Sequence, residues 1–284
     1  MATFETYRAV ADEAVAKLVA DTTSPFTIEV RFGGGLTQRQ KTAFKRAADR
    51  WTRVIVGDLP SVLVDGEVID DVLILADGSD IDGPSGILGQ AGPTRLRPAN
   101  AGTAAFLPAK GRMSFDTADL KQMERDRTLN DVITHEMGHV LGIGTVWGQK
   151  KLLKNAGTNN PTFAGKGAMR EYRTLRGSGA ASRRVPVENT GGPGTAGSHW
   201  RETVFRNELM SGFISAAGNP LSRMTVASLE DLGYAVDFNA AEDYSLPNLL
   251  TLAEEGFLVS HQAPIGNGIV LPNIPLVLPP DSLQ

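Results

Sequence analysis

The chain contains no cysteine, which excludes disulfides, thiolate zinc sites and any latency device built on a thiol. The compartment stays undecided, because a secreted protein can also do without cysteine. Histidine is nearly as scarce, with 4 in 284 residues: His135, His139, His199 and His261. No apolar run reaches the roughly 18 residues that a bilayer-spanning helix needs. Charge is close to balanced, 28 basic against 32 acidic residues for a net −4, too little to imply nucleic acid or a membrane surface as partner. Met1–Glu5 lacks a basic patch followed by an apolar core, so no secretory signal is read there. What remains is an ordinary globular composition, 41% hydrophobic and 21% charged, sufficient for one large domain or two subdomains enclosing a cleft.

Residues 4–20 read as an amphipathic helix with Tyr7, Val10, Ala14, Leu18 and Val19 along one stripe. Phe26 to Phe32 alternates as a strand, and Thr37 caps a helix running to about Val56 with Phe44, Ala47, Trp51 and Ile55 inward. Residues 71–76, 86–91 and 111–116 read as further strands. The acidic stretch Asp77–Gly83 has carboxylate spacing like a calcium loop, yet Leu88 stands where the closing glutamate belongs. A solvated turn is the favoured reading, with Ca²⁺ left open. Gly148 to Ser198 is rich in Gly, Asn and basic residues, read as a solvated insertion ahead of a preference for acidic substrates. Met224–Leu232 is a helix stopped by Gly233, and the Pro-rich tail beyond Leu246 is expected to be extended, with His261 a plain surface residue. Gly191–Gly194 lacks the GK[ST] of a phosphate loop and is read as a flexible turn.

The densest information lies in His135-Glu136-Met137-Gly138-His139, on a predicted helix beginning near Thr128 or Asn130 with Val132 and Ile133 buried. Two histidines four apart on a helix stand about 40° apart around the axis and about 6 Å along it, so both rings can reach one Zn²⁺. Glu136 sits beside that pair, placed to take a proton from a water on the metal. Catalytic zinc usually has three protein ligands and a water. The compact metzincin pattern HExxHxxGxxH matches at His135, His139 and Gly142 but meets Thr145 at its last position. A hydroxyl is a poor zinc ligand, which leaves His199 or His261. Eleven residues after His199 stands Met210, in Glu208-Leu209-Met210-Ser211-Gly212, as a Met-turn beneath a metal requires. A carboxylate third ligand such as Glu171 or Glu202 is the competing assignment.

With these residues the sequence resembles the leishmanolysin family of metzincin metallopeptidases, which inserts several tens of residues between the glycine and the third histidine. Here 56 residues separate Gly142 from His199. The resemblance covers roughly residues 25–236 and includes Ile81–Pro93, His135–Trp147, Val185–Gly192 and Ser198–Gly212. It implies an α+β fold of metzincin type. A mixed twisted sheet with helices would form an N-terminal subdomain (25–144), and an irregular, partly helical C-terminal subdomain (145–236) would follow. Zinc would lie in the cleft between them, with a helical segment (1–24) before and a Pro-rich tail (237–284) after.

The activity implied is that of a zinc endopeptidase acting on protein or peptide substrates. It would hold one catalytic Zn²⁺ on His135, His139 and His199, with Glu136 as general base and Met210 as the Met-turn. Gly86, Ile87, Leu88, Gly89, Gln90 and Ala91 would form the edge strand that pairs with an extended substrate. Phe213 and Ile214 would wall the pocket after the scissile bond. A non-catalytic zinc-containing binding module is the alternative of a different class. The missing cysteine rules out a cysteine switch, a monomer is expected, and a signal-less extracellular route is what the resemblance favours.

Overall fold

The computed structural model describes residues 4–83, 87–192, 194–214, 216–248, 268–270 and 274–284. The predicted first helix is instead a strand and a short helix: β1 (Glu5–Val10) and α1 (Glu13–Ala20). Asp12 separates them by accepting the Val15 N–H as N-cap. Strand pairing overrode the helical spacing. β1 lies antiparallel on β2 (Thr27–Phe32), and the supposed apolar stripe is divided: Tyr7 packs on the core, whereas Val10 at the end of β1 is 51% exposed and Leu18 on α1 is 85% exposed.

α2 (Gln38–Val54) follows β2. Its start carries a full capping box, Thr37 accepting from Gln40 N while the Gln40 side chain accepts from Thr37 N. A small hairpin of β3 (Val62–Val64) and β4 (Glu67–Ile69) precedes β5 (Val72–Ser79), β6 (Ile87–Leu96) and β7 (Pro108–Asp116). α3 (Thr117–Asp126) and α4 (Leu129–Val140) complete this part.

The main sheet runs β1-β2-β5-β7-β6. β2, β5 and β7 are parallel, whereas β1 runs antiparallel to β2 and β6 antiparallel to β7. α2 packs on β1 and β2, and α4 packs on α2, β6 and β7. Alternation on β2 explains the core: Ile28, Val30 and Phe32 are buried, and the rings Phe32, Phe44 and Phe115 stack edge to face at 6.1 and 5.9 Å. Phe44, Ala47, Trp51 and Ile55 are all fully buried, as their spacing predicts.

The expected acidic turn begins later than its sequence indicated, because Asp77–Ser79 belong to β5. Asp77 pairs with Arg112 at 3.0 Å and accepts from Ser114. The turn itself aims the N–H groups of Ile81, Asp82 and Gly83 at the Asp116 carboxylate. A turn that presents donors is not an oxygen cage, so its geometry does not carry the calcium reading.

Beyond α4 the chain is loop-rich. β8 (Leu153–Lys154), β9 (Thr162–Phe163) and β10 (Val185–Pro186) form a small antiparallel sheet. Around it lie α5 (Lys166–Leu175), the single turn α6 (Glu202–Phe205) and α7 (Arg223–Leu232). The basic side chains of this region are not merely solvated: Arg173 and Arg176 donate to the carbonyls of Ala180 and Ala181, tying the loop to α5. β11 (Gly268–Val270) and β12 (Leu276–Val277) of the tail are extended, and both pair in parallel with β6. His261 lies outside the described residues. Among those described, no helix is long and apolar enough to cross a membrane.

Candidate metal centre

α4 is buried along nearly its whole length. Trp51 of α2 donates its indole N–H to the Thr134 carbonyl at 2.9 Å, fixing the helix against α2. The helix ends where the motif changes. Gly142 N–H reaches the His139 carbonyl and Ile143 N–H reaches the Gly138 carbonyl. Gly142 then takes φ +106°, in the left-handed region that favours glycine. Thr145, at the third-histidine position of the compact pattern, donates its hydroxyl to the His139 carbonyl and so helps close the helix.

The chain returns to α4 through the segment from Glu188 to Met210. Gly144 permits the approach: a Cβ there would lie 2.0 Å from the Ser198 carbonyl oxygen, at φ +77°. His199 is thereby brought to His135 and His139. Their Nε2 atoms form a near-equilateral triangle, with 3.1 Å between His135 and His139, 2.9 Å between His139 and His199, and 3.0 Å between His135 and His199.

Each opposite ring nitrogen faces a backbone carbonyl: His135 Nδ1 to Leu209 at 2.6 Å, His139 Nδ1 to Ile143 at 2.8 Å and His199 Nδ1 to Thr195 at 2.9 Å. A carbonyl can only accept, so each Nδ1 must carry the proton. Each Nε2 then presents a lone pair to the other two. Three mutually facing acceptors repel one another unless a cation lies among them. Three nitrogens held at about 2.0–2.1 Å by one tetrahedral zinc stand about 3.3 Å apart, close to the spacing seen. The donor set therefore fits a zinc ion.

Burial disfavours protonation of all three rings. His135 is pushed down to about 3, first by desolvation and then by His199, and His139 and His199 are lowered chiefly by desolvation. Burial alone raises the Glu136 carboxyl well above the carboxylate range. His135 Nε2 and Glu136 Oε1 stand 3.8 Å apart. Among the described residues Glu136 Oε2 is buried without a hydrogen-bond partner. A buried carboxylate oxygen left open beside three nitrogen donors is available to a further group at this point.

Met210 is fully buried, and a Cβ on Gly138 would lie 2.8 Å from its sulfur. The methionine thus lies directly against α4 between the two helical histidines. Phe213 and Ile214 are partly buried just beyond it. Glu171 pairs with Arg170 and Arg223, and neither it nor Glu202 joins the converging group, so the described side chains do not support a carboxylate third ligand.

A family model described as leishmanolysin matches residues 103–251, more than half of the 284. The chain belongs to the leishmanolysin family. The leishmanolysin of Leishmania major is 32% identical over 143 residues, covering 48% of this chain and 23% of the relative. That of Leishmania tropica is 29% identical over 143 residues, 48% of this chain and 21% of the relative. A leishmanolysin-like peptidase of Caenorhabditis elegans is 44% identical over 59 residues, 20% of this chain and 9% of the relative. The matches to the Leishmania proteins thus span less than a quarter of their length. The family match contains His135, Glu136, His139, His199 and Met210 and begins after β6.

At the expected substrate strand the structure adds a neighbour on one side. Gly86 lies outside the described residues, and Ile87, Gly89 and Gln90 pair on the outer side of β6 with Gly268–Val270. A free edge is therefore not present there, because the tail supplies the neighbouring strand. On the inner side Gly89, Gln90 and Ala91 pair with β7, Ala91 is buried and Leu88 packs on the core.

Sequence reading also gave no role to Gly138, Gly144, Glu188 or Glu208. A glycine inside a helix and a second glycine directly after the helix stop are the signals that point to the first two.

Proposed function

We propose that the chain is a zinc metallopeptidase that cleaves internal bonds of protein or peptide substrates, with the site between the sheet-and-helix part and the loop-rich part. The observation that carries this reading is the convergence of three imidazole lone pairs whose opposite nitrogens are all committed to backbone carbonyls, next to the unpartnered carboxylate oxygen of Glu136. A structural zinc site has no use for such a carboxylate and is usually closed by four protein ligands.

His135, His139 and His199 hold the zinc. The Leu209, Ile143 and Thr195 carbonyls fix their tautomer and raise their basicity as ligands. When bound, zinc acts as a Lewis acid that lowers the pKa of water to about 7 and polarises the scissile carbonyl. Glu136 takes a proton from the attacking water and delivers it to the leaving amine nitrogen. Met210 packs against Gly138, the α4 residue directly before His139. Family membership and the peptidase description of the worm relatives support the reaction class.

The test is zinc content together with hydrolysis of a quenched peptide library, for wild type, His199→Ala and Glu136→Ala. One zinc per chain with chelator-sensitive cleavage is expected in wild type. His199→Ala should lose both, while Glu136→Ala should keep zinc and lose about 10²–10⁴-fold in rate. Zinc bound by a folded wild type that cleaves nothing would favour the non-catalytic binding module.

A further inference from the structure

Glu208 is fully buried, and among the described residues no ion pair reaches it. Its two oxygens instead gather donors from two separate segments, the Met210 turn and the start of α7. Oε2 accepts the Met210 N–H at 2.6 Å. Oε1 accepts the Ser222 N–H at 3.1 Å, the Ser222 hydroxyl at 2.7 Å and the Thr225 hydroxyl.

Each route leads to a histidine. The Met210 N–H is fixed by Glu208 immediately after the Leu209 carbonyl, and that carbonyl accepts from His135 Nδ1 at 2.6 Å. Thr225, held by Glu208, accepts the indole N–H of Trp200 at 2.8 Å, and Trp200 N–H donates to the Met210 carbonyl at 2.9 Å. Trp200 directly follows His199. A buried, unpaired carboxylate is costly unless its lone pairs are filled. Here four donors fill them, and those donors belong to the Leu209–Met210 turn and to the start of α7 (Ser222, Thr225). The carboxyl group is thus used to order a turn that has no regular secondary structure to order it.

We propose that Glu208 is the positioning residue of the three-histidine site, fixing the Leu209–Met210 turn and through it the His135 and His199 rings. The inference rests on the zinc reading above for its consequence in metal binding, but its geometric core concerns the metal-free protein. Two measurements separate them. In metal-free protein, side-chain ¹⁵N NMR should find the Nδ1–H form of His135 in wild type and a mixture of ring tautomers in Glu208→Gln. In metal-loaded protein, competition against a chelator should give zinc affinity about 10–100-fold weaker in Glu208→Gln. The absorption spectrum of the Co²⁺-substituted variant should shift as well.

Asp231→Asn is the control. Asp231 accepts the Gly167 and Ala168 N–H groups at the start of α5, so its loss should lower stability and leave tautomer, affinity and spectrum unchanged. A Glu208→Gln protein of lower melting temperature but wild-type tautomer, affinity and cobalt spectrum would overturn the proposal. Wild type that binds no zinc, with a tautomer that still changes in Glu208→Gln, would remove the metal reading and leave the positioning role standing. Should Glu208→Gln not fold, Thr225→Val removes one of the four donors and must move the same readouts in the same direction by less; no movement overturns the role.

Discussion

His135 and His139 arrive on α4, a helix packed on two strands and on α2 through a continuous apolar core. His199 arrives on a loop, within a region where buried carboxylates perform the task that regular structure performs elsewhere. Glu188 accepts the N–H groups of Asn189, Thr190 and Glu202 and the Thr190 hydroxyl, while its own backbone brackets the loop through His199 and Gly197. Glu208 does the same for the Met210 turn, and Asp231 for the start of α5. A segment without strand or helix partners still has to satisfy its buried N–H groups, and a carboxylate can accept several at once. The lesson is that one set of histidines is supported by two different physics: apolar packing under α4, which carries His135 and His139, and carboxylate-centred hydrogen bonding in the loops that carry His199 and the Leu209 carbonyl facing His135.

The largest expected effect tests the apolar side. Trp51→Ala removes a fully buried indole and its bond to Thr134, and should cost about 3–5 kcal/mol in denaturant unfolding. The fraction still folded should bind zinc with little change. A loss of zinc affinity larger than the loss of stability would show that the two supports are coupled rather than separate.

Gly144→Ala tests the other side. The new Cβ meets the Ser198 carbonyl, at a φ that side chains rarely adopt, so the His199 loop must move away from α4. Unfolding stability should fall by about 1–3 kcal/mol, with zinc affinity dropping at least about ten-fold. Wild-type affinity in chelator competition would break the comparison, because the approach of that loop would then not control the third ligand.

Thr37→Ala should have the smallest effect. It removes one half of the α2 capping box and should cost about 1 kcal/mol, without altering zinc affinity. Any change in metal binding from this distant cap would mean that α2 transmits strain to α4.

How much was legible in the sequence differs between the two regions for the same reason. The α2 helix, its Thr37 cap and its inward stripe, the strand at Phe26–Phe32 and the α7 stop at Gly233 are all written in local periodicity and capping chemistry. The N-terminal segment misled because β1 is a strand only through its pairing with β2, and cross-strand pairing has no local signature in a segment that also spaces like a helix. The pair of tail strands on β6 was equally hidden, being decided by a contact across nearly two hundred residues.

By itself the sequence determined the chemistry available: no thiol, two histidines one helical turn apart, a glutamate between them and a glycine to end the helix. Those are facts of residue type and of the 3.6-residue period. Only the tertiary structure decided that His199, rather than a carboxylate, closes the triangle, and that every Nδ1 is committed to a carbonyl. It also decided that Glu188 and Glu208 hold the loops in place. Loop paths and buried hydrogen bonds depend on which distant groups meet, and spacing along a chain does not contain that information.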